Sequence, residues 1–465
     1  MSRHYQENAA TQHPVDEVPP AGQLLTLGLQ HVLVMYAGAI AVPLIVGAAL
    51  KLPKDQIAFL INADLLCSGL VTIIQALGVG MFGIRLPVMM GVTFAAVGPM
   101  VAMAAAPELG INAILGAGIA SGVFGIFFAP LVARCLPLFP PVVTGTIIAT
   151  IGISLMRVAV NWAAGGQAMI QDASGQIVAN PAFGAPEHLA VAGLVLLMIL
   201  LITRFGRGFI ANVSILLGMG VGFLVSMAMG KVSFAGLDAA PWLAMVEPLH
   251  FGMPVFDPVS IATMCLVSVV VMVESLGMFL ALSELTGRQL CRNDLTRGLR
   301  TDGLGTLLGG LLNTFPHTSF SQNVGLVGVT GIKSRWVCVA GGAILMVFAL
   351  IPKMAHVIAS IPQFVLGGAG IVMFGMVAAT GIKILMGAEL RENRNNLYVV
   401  AISLGLGMIP LVAPTFFHAM PASLGPLLHS GILLSALSAV LLNLFLNGAT
   451  QRQRASRAAT VPQTH

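Results

Sequence analysis

Charge is what this sequence has least of: Asp, Glu, Lys and Arg together make up 8% of its 465 residues, whereas apolar residues make up 57%. A soluble domain carries about 25% charged residues, so the composition excludes an ordinary soluble fold. A helix that crosses a bilayer needs about 20 apolar residues. Five long stretches contain no charged residue at all: 86–107, 109–133, 208–230, 303–332 and 395–451. The sequence therefore predicts an all-α protein that crosses a membrane many times.

Sequence patterns of catalysis and metal binding are also missing. The five Cys residues are scattered and form no CxxC pair, and the chain has no HExxH or GxSxG pattern. An enzyme would need a nucleophile beside a base, and a metal site would need clustered ligands. A receptor would need a sizeable soluble domain, but the longest polar loop, about 161–187, is too short for one. We therefore expect no enzyme activity, no resident metal and no cofactor.

Fourteen segments are candidates for membrane spans, and two of them are too short to cross as ordinary helices. These two, 95–107 and 323–333, each follow an extended-looking stretch that contains a proline, RLPVMMGVTF in one case and NTFPHTSFSQ in the other. The fourteen predicted spans are 24–50, 57–79, 95–107, 112–134, 139–160, 188–204, 209–229, 258–285, 297–314, 323–333, 335–352, 363–385, 396–412 and 429–448.

The distribution of Lys and Arg predicts how these spans are oriented. If both ends of the chain are cytoplasmic, 17 of the 22 Lys and Arg residues fall in cytoplasmic segments. This bias agrees with the positive-inside rule. We therefore expect cytoplasmic tails over 1–23 and 449–465. The formal net charge of +5 reflects the same bias and does not indicate a nucleic-acid partner.

An internal repeat relates the two halves of the chain. FPPVVTG at 139–145 matches IPQFVLG at 361–367 in Pro, Val and Gly, and the two proline-containing stretches also correspond. Two halves of seven spans each would have opposite orientations, because seven is odd. Inverted repeats with broken helices are typical of secondary transporters whose site lies near the bilayer midplane. We therefore predict two inverted repeats, with short antiparallel strands at the broken third and tenth spans; coincidence among Pro- and Gly-rich segments is the alternative.

Polar residues cluster where the second of these strands is expected, in the run NTFPHTSFSQN at 313–323. Irregular backbone at membrane depth survives only where protein or a water-filled cavity surrounds it. The half-helices that follow the strands would point their partly positive N-termini at the break. We therefore interpret the polar run as one wall of a substrate site. His317, at the start of the strand, is expected to satisfy backbone groups rather than to do chemistry.

Four further titratable residues lie within or near predicted spans. Glu274 is the sharpest candidate, because a carboxylate at the middle of a span costs about 2.5–3.5 kcal/mol on insertion scales; its alternative is a structural partner for a hydroxyl or backbone group. Asp302 lies nearer the inner surface and could instead pair with a nearby arginine. His31 is either a hydrogen-bonded orienting group or a proton carrier. Asp64 either reaches water on the outer side or stays inside the protein.

The polar run belongs to a longer pattern, Gln-Asn-x-Gly, four residues, Thr and a following Ser-Arg. This pattern resembles the signature of the nucleobase–ascorbate transporter family and is formed here by Gln322, Asn323, Gly325, Thr330, Ser334 and Arg335. Gln30 and His31 resemble the family's Gln-His pair in the first span, and Glu274 and Asp302 lie where the family has carboxylates in its eighth and ninth spans. The resemblance covers 24–448. FPHTSFSQNVGLV together with MVESLGMFLAL is most similar to the bacterial uric acid permease branch, and next to xanthine permeases.

The resemblance implies a core domain over 24–134 and 258–352 and a gate domain over 135–257 and 353–448. It implies a multi-pass protein of the bacterial inner membrane, in contact with lipid and usually a homodimer, in which the core slides against the gate as an elevator. The implied activity is import of a purine, uric acid or xanthine, with protons, driven by the proton gradient. Uracil or another nucleobase is the alternative within the family; an anion such as sulfate or bicarbonate is a less favoured alternative within the fold.

Roles for the substrate-binding residues are implied by the same resemblance. Glu274 and Gln322 would bind the N–H and C=O edges of the purine. Phe94 and its backbone would lie against the purine ring, and Asn323 would shape the site. These roles place the substrate between the two broken spans.

Support and selectivity are implied at five further positions. Asp302 would take part in proton coupling, and His31, which follows Gln30, would hold the core in register. Thr93 and Ser321 precede Phe94 and Gln322, and many xanthine-selective relatives look different at these two places. Their two hydroxyls could hydrogen-bond the C8 oxygen that uric acid has and xanthine lacks. The alternative is that Thr and Ser stand there because they suit a strand.

Overall fold

Helices make up most of this protein because a backbone in hydrocarbon must satisfy its own N–H and C=O groups within the segment. The computed structural model describes residues 13–106, 108–135, 138–171, 177–421 and 424–459. The helices in these ranges are α1 (Ala21–Ala49), α2 (Lys54–Leu77), α3 (Val97–Ala105), α4 (Gly110–Arg134), α5 (Pro141–Ala163), α6 (Pro186–Phe205), α7 (Phe209–Asn212), α8 (Ser214–Ala228), α9 (Pro258–Thr286), α10 (Arg292–Leu311), α11 (Ser321–Thr330), α12 (Arg335–Ala349), α13 (Pro352–Ala359), α14 (Gln363–Leu385), α15 (Arg394–Val412), α16 (Gly425–Leu428) and α17 (Gly431–Ala459).

Several predicted segments lie partly outside the described residues: the tails 1–23 and 449–465, the last residue of the span 95–107, the polar loop 161–187, and the gate segments 135–257 and 353–448. A 3-10 turn, Phe94–Ala96, precedes α3. The described strands are β1 (Met90–Val92), β2 (Met169–Gln171), β3 (Ile177–Ala179) and β4 (His317–Ser319). β2 pairs antiparallel with β3 within the polar loop 161–187.

Among the described residues, nine helices are long and apolar enough to cross a membrane, or ten if the pair α12 and α13 forms one span. The protein is therefore a multi-pass α-helical membrane protein, as predicted. The other predicted spans correspond to four helices that fail this test for physical reasons. α3 and α11 are short, α8 has 15 residues, and α10 contains two Asp and three Arg residues.

Several boundaries differ from the predicted spans. α12 ends at Ala349, and α13 leaves it at an angle of 83°, because Pro352 lacks the N–H that would continue the ladder. α10 begins at Arg292 rather than 297, because the Asp294 carboxylate accepts a hydrogen bond of 3.0 Å from the Cys291 N–H and caps the first turn. α17 continues to Ala459, well into the predicted tail, because its Gln, Arg and Ala residues all favour a helix.

The two broken spans meet in a two-stranded sheet, as predicted. β1 pairs antiparallel with β4, with Met90 opposite Ser319 and Val92 opposite His317. Two further backbone bonds extend the ladder: the Thr93 N–H donates to Pro316 at 2.8 Å, and the Phe320 N–H donates to Met89 at 2.9 Å. The ladder therefore satisfies the backbone of both breaks inside the protein.

Helix packing divides the described chain into two groups. The first contains α1, α2, α4, α9, α10 and α12, and the second contains α5, α6, α8, α14, α15 and α17. The most extensive packing within the second group is that of α5 along α14, where Gly152 and Gly381 each lie against the backbone of the facing helix. Small residues allow such close approach between membrane helices. α13 lies almost wholly in the predicted gate domain, which begins at residue 353, but it packs on α2 of the first group.

Candidate functional site

Two helix N-termini converge on the β1–β4 ladder. The register is antiparallel, so the end of β1 lies beside the start of β4. The turn that leads into α3 therefore follows one end of this three-residue ladder, and α11 follows the other end. Within the described structure no side chain caps the first turn of α11. Its first N–H groups and the positive end of its dipole are therefore available to a polar or anionic ligand.

Glu274 lies near the middle of α9 and is partly exposed, although Val273 and Ser275 beside it are buried. α9 packs against β4, the turn at Phe94 and α11. The Ser275 hydroxyl lies 3.2 Å from the Thr318 hydroxyl and accepts a hydrogen bond of 3.4 Å from the Ser319 N–H. These contacts fix the middle of α9, the part of the helix that carries Glu274, against the ladder.

Asp302 lies on α10, is 2% exposed, and is close enough to Glu274 for their charges to interact. Its carboxyl group lies near the Ser275 hydroxyl, but neither oxygen makes a well-oriented hydrogen bond within the described residues. The alternative of an arginine partner is wrong: no ion pair in the described part of the chain includes Asp302, and Arg297 donates instead to the Phe82 carbonyl at 3.3 Å. Asp302 therefore lies near Ser275, the residue next to Glu274 on α9.

The first turn of α11 carries three of the predicted site residues. Ser321 and Gln322 are partly exposed, and the Ser321 hydroxyl donates to Gln322 Oε1 at 3.4 Å. Asn323 is buried; its Nδ2 donates to the His31 carbonyl at 2.9 Å and lies 3.1 Å from His31 Nδ1. An amide nitrogen only donates, so Nδ1 accepts and a neutral His31 carries its proton on Nε2. Asn323 and His31 thus fasten α11 to α1, and Gln30 is buried next to them.

Phe94 lies where the two helix groups meet. Its ring is 5.4 Å from that of Phe374 on α14, edge to face, and 6.3 Å from that of Phe320. Thr93 is fully buried, and its hydroxyl oxygen accepts a hydrogen bond of 3.1 Å from the Ala95 N–H. The Thr93 hydroxyl therefore caps the turn and still has its own proton to donate.

Phe320 is a residue that sequence reasoning missed. A Cβ on Gly91 would lie 2.5 Å from its ring, and a Cβ on Gly38 would lie 2.8 Å from it. The ring therefore fills the space between α1 and β1 and fixes the point at which α11 begins. One apolar residue in a polar run gave no signal of this contact, since Gly38 and Gly91 are distant in the sequence.

His317 and Asp64 lie on the other face of β4 from Thr318, because successive side chains of a strand alternate. Asp64 is 1% exposed, so the alternative that it reaches outer water is wrong. The His317 ring satisfies a backbone group as expected, since its Nδ1 lies 2.7 Å from the Phe315 carbonyl oxygen. The backbone N–H of His317 donates to the Thr306 hydroxyl at 3.2 Å.

Two cavities lie away from these residues. One, of about 280 Å³, opens between the two helix groups and is lined by Lys54, Trp162, Lys231 and Gln363 among others. The other, of about 200 Å³, is lined by four asparagines, Asn393, Asn396, Asn443 and Asn447, with other residues. The described residues contain no group of three or more His, Cys, Asp or Glu that could hold a metal ion.

Two short paired strands, each followed by a short helix and flanked by helices that carry intramembrane carboxylates, are typical of a membrane transporter. Comparisons with known proteins agree. Residues 22–416 match the family model Xan_ur_permease, described as a permease family. This chain belongs to that permease family, the nucleobase–ascorbate transporters, and is a transporter rather than an enzyme.

Individual relatives are similar over nearly their whole length. The chain is 56% identical over 435 residues to the uric acid transporter UacT of Escherichia coli (strain K12), covering 93% of this chain and 88% of that protein. It is 43% identical over 442 residues to the xanthine permease of Bacillus subtilis (strain 168), covering 95% of this chain and 98% of that protein.

Solved structures share the fold at low identity. The transmembrane domain of a cyanobacterial bicarbonate transporter, BicA, matches with a TM-score of 0.59 and 17% identity, covering 92% of this chain and 98% of that chain. The murine anion transporter Slc26a9 in its inward-facing state matches with a TM-score of 0.59 and 12% identity, covering 93% of this chain and 70% of that chain. These likenesses concern the fold alone.

Proposed function

We propose that this protein imports a purine base, uric acid or xanthine, together with protons across the bacterial cytoplasmic membrane. The observation that carries the proposal is the partly exposed Glu274 on a helix that packs against the β1–β4 ladder and α11. A carboxylate at that depth is costly unless it serves a ligand or an ion pathway. The names of two similar proteins, a uric acid transporter and a xanthine permease, support a purine as the ligand.

The chemistry of an oxidised purine fits these side chains. Such a base carries N–H donors and C=O acceptors around its edges. The Glu274 carboxylate accepts hydrogen bonds, and the Gln322 amide both donates and accepts them. The free N–H groups of the first turn of α11 favour a carbonyl oxygen or a negative charge. The Phe94 ring offers an apolar face for the base.

Selectivity for uric acid is proposed to come from Thr93 and Ser321. Ser321 is partly exposed beside Gln322, and Thr93 precedes Phe94 with a hydroxyl proton to donate. A donor placed against the C8 oxygen would be left unpaired when xanthine binds, and unpaired buried donors discriminate between ligands. Asn323 and His31 are proposed to hold the start of α11 in place rather than to touch the purine, with Gln30 beside them.

The proposed architecture has fourteen spans in two inverted repeats. Three features support it: α5 begins at Pro141 and α14 begins 222 positions later at Gln363, the two strands run antiparallel, and each strand is followed by a short helix. The proposed core domain covers 24–134 and 258–352, and the gate domain covers 135–257 and 353–448. The division of the helices into two packing groups supports these boundaries, except that α13 packs with the core.

The proposed mechanism is an elevator, in which the core carries the purine past the gate. The edge-to-face contact of Phe94 with Phe374 joins the two helix groups and would have to break as the core moves. Asp302, buried beside Glu274, is proposed to take up the coupled proton, since intramembrane carboxylates are typical proton relays. We further propose a homodimer surrounded by lipid, with both chain ends cytoplasmic.

Uptake of labelled bases by cells that lack their own purine carriers tests this proposal. We expect accumulation of uric acid or xanthine, which stops when a protonophore dissipates the proton gradient and does not depend on sodium. Accumulation that follows sodium and ignores the proton gradient would contradict the coupling. Accumulation of uracil without either purine would contradict the substrate.

A further inference from the structure

A second pair of titratable side chains lies behind β4, away from the proposed substrate site. His317 Nε2 is 3.6 Å from Asp64 Oδ1, and the two side chains are 0% and 1% exposed. The Ser68 hydroxyl lies 3.2 Å from the same ring nitrogen, and the Thr314 hydroxyl donates to Asp64 Oδ1 at 3.2 Å. These four residues, here called the α2–β4 cluster, join helix α2 to the entry of the strand.

The hydrogen bonds define where a proton can reside in this cluster. A backbone carbonyl only accepts, so His317 Nδ1 donates to Phe315 and always carries a hydrogen. Nε2 then either accepts from Ser68 as part of a neutral ring or donates to Asp64 as part of an imidazolium. Asp64 Oδ2 has no hydrogen-bond partner in the described part of the chain, which leaves a place for the same proton. Either arrangement leaves the pair without net charge.

The surroundings of the pair favour a single shared proton. Two glycines of α10 let the helix approach the entry of β4 closely: a Cβ on Gly305 would lie 3.0 Å from His317 Cβ, and a Cβ on Gly309 would lie 2.7 Å from the Phe315 carbonyl oxygen to which Nδ1 donates. An uncompensated charge at such a site would be costly. α2 itself and the elements packed against α2 and β4 carry other titratable groups, and none of these forms a described ion pair with Asp64 or His317. The buried ones are Tyr36, Cys67, Asp302, His31, Cys338 and His356, and Glu274 is partly exposed.

The cluster controls the position of the strand that leads into the substrate site. Thr314 and His317 lie on either side of the turn that enters β4; Thr314 donates a hydrogen bond to Asp64, and His317 Nε2 lies within ion-pair distance of it. β4 has only three residues, and α11 with Gln322 begins two residues after its end. A shift of His317 would therefore move Phe320 and the free N–H groups of α11.

We propose that Asp64 and His317 form a proton-sharing pair that positions β4 and thereby sets the affinity for the transported purine. The proposal rests on the proposed function, because it concerns the affinity for that substrate. The pair does not touch the purine; it acts through the strand and the first turn of α11. Within the described residues, no hydrogen bond or ion pair joins the Asp64 or His317 side chain to the carboxylate of Glu274 or Asp302.

Asp64→Asn is the variant that tests the pair. The amide oxygen still accepts from Thr314, but the side chain can no longer exchange a proton with His317. We expect the KM for uptake to rise about tenfold while the maximal rate falls less than twofold, and the pH dependence of KM to change. Asp55→Asn, the same chemical change at an exposed position in the first turn of α2, is the matched control and should leave KM and its pH dependence unaltered.

Two further measurements keep the test decisive. Hydrogen exchange of the amides over 314–323 in the purified protein should become faster in Asp64→Asn and stay unchanged in Asp55→Asn, whatever substrate is transported. If Asp64→Asn does not fold, Thr314→Val, which removes one hydrogen bond at constant volume, should raise KM a few-fold. The proposal is overturned if a folded Asp64→Asn protein shows an unchanged KM, an unchanged pH dependence of KM or unchanged hydrogen exchange. If the unaltered protein takes up no purine at all, the proposed function is overturned instead.

Discussion

The two broken spans have the same backbone design but opposite chemistry. β1 and the turn after it contain one polar side chain, Thr93, among apolar neighbours, whereas β4 and the first turn of α11 contain His317, Thr318, Ser319, Ser321, Gln322 and Asn323. The backbone N–H and C=O groups of the two strands bond to each other in one ladder. The apolar break is as well paired as the polar break, so the ladder does not need polar side chains.

The polar side chains of the second break must therefore be explained by their other contacts. The Thr318 hydroxyl lies 3.2 Å from the Ser275 hydroxyl of α9, and the Ser319 hydroxyl donates to Met90 Sδ of β1 at 3.6 Å. The His317 ring contacts Ser68 of α2, and Asn323 donates to the His31 carbonyl of α1. Gln322 and Ser321 are partly exposed and are left for a ligand. The first break contributes shape instead, since Gly91 and Phe94 pack against Phe320. We infer that the second break supplies hydrogen bonds and the first supplies the wall.

The largest expected effect is on the polar side. Glu274→Gln keeps the size of the side chain but removes its negative charge and its second acceptor oxygen. Hydrogen bonds to charged groups contribute about 1.5–3 kcal/mol, so we expect purine uptake to fall by about ten- to a hundredfold or more. Uptake is measured in cells, with the amount of protein in the membrane determined in parallel.

The control for this variant lies on the same helix. Glu284 is exposed near the end of α9, and Glu284→Gln should transport at the normal rate. Near-normal uptake by Glu274→Gln would show that the carboxylate is only a structural partner. Equal losses in both variants would point to a general need for charge on α9 rather than to a ligand.

An intermediate effect is expected on the apolar side. Gly91→Ala would place a methyl group against the Phe320 ring, and overpacking typically costs about 1–3 kcal/mol. We expect a lower melting temperature and a higher KM, because the displaced ring moves the start of α11. Phe320→Leu combined with Gly91→Ala should restore part of both.

The matched control is Gly98→Ala in α3. A Cβ there would meet only the Ser430 hydroxyl, at 3.7 Å, so neither the melting temperature nor the KM should change. If Gly91→Ala behaves like Gly98→Ala, then Phe320 is not held against β1 and the apolar break does not shape the site.

Sequence patterns predicted the elements whose signals are local or repeated. The proline in each break, the following short apolar segment and the polar run were enough to predict strands β1 and β4 and their pairing. Contacts that join distant parts of the chain left no such signal. Ser68 and His317 are 249 positions apart, and neither residue shows by itself that the two would meet. Asp64 was for this reason open to two interpretations, and Phe320 was missed.

The smallest expected effect is on the selectivity for uric acid over xanthine, and it concerns Thr93, the single polar residue of the apolar break. Thr93→Val keeps the volume of the side chain and removes the hydroxyl, which in Thr93 also caps the turn through Ala95. Loss of a hydrogen bond costs about 0.5–1.5 kcal/mol of binding free energy, which corresponds to binding that is a few-fold to roughly tenfold weaker. We expect uric acid uptake to weaken by this amount relative to xanthine uptake, measured as the ratio of their KM values.

A change in this ratio separates recognition of the C8 oxygen from loss of the cap. Loss of the cap disturbs the turn before Phe94 whichever purine is bound, and so raises both KM values together. Loss of a donor to the C8 oxygen raises only the KM for uric acid, since xanthine has no oxygen there. Thr93→Ser keeps both the cap and the donor and should behave like the unaltered protein. If Thr93→Val leaves the ratio unchanged, Thr93 serves the strand and turn alone, and Ser321→Ala becomes the remaining test of a hydroxyl that reads the C8 oxygen.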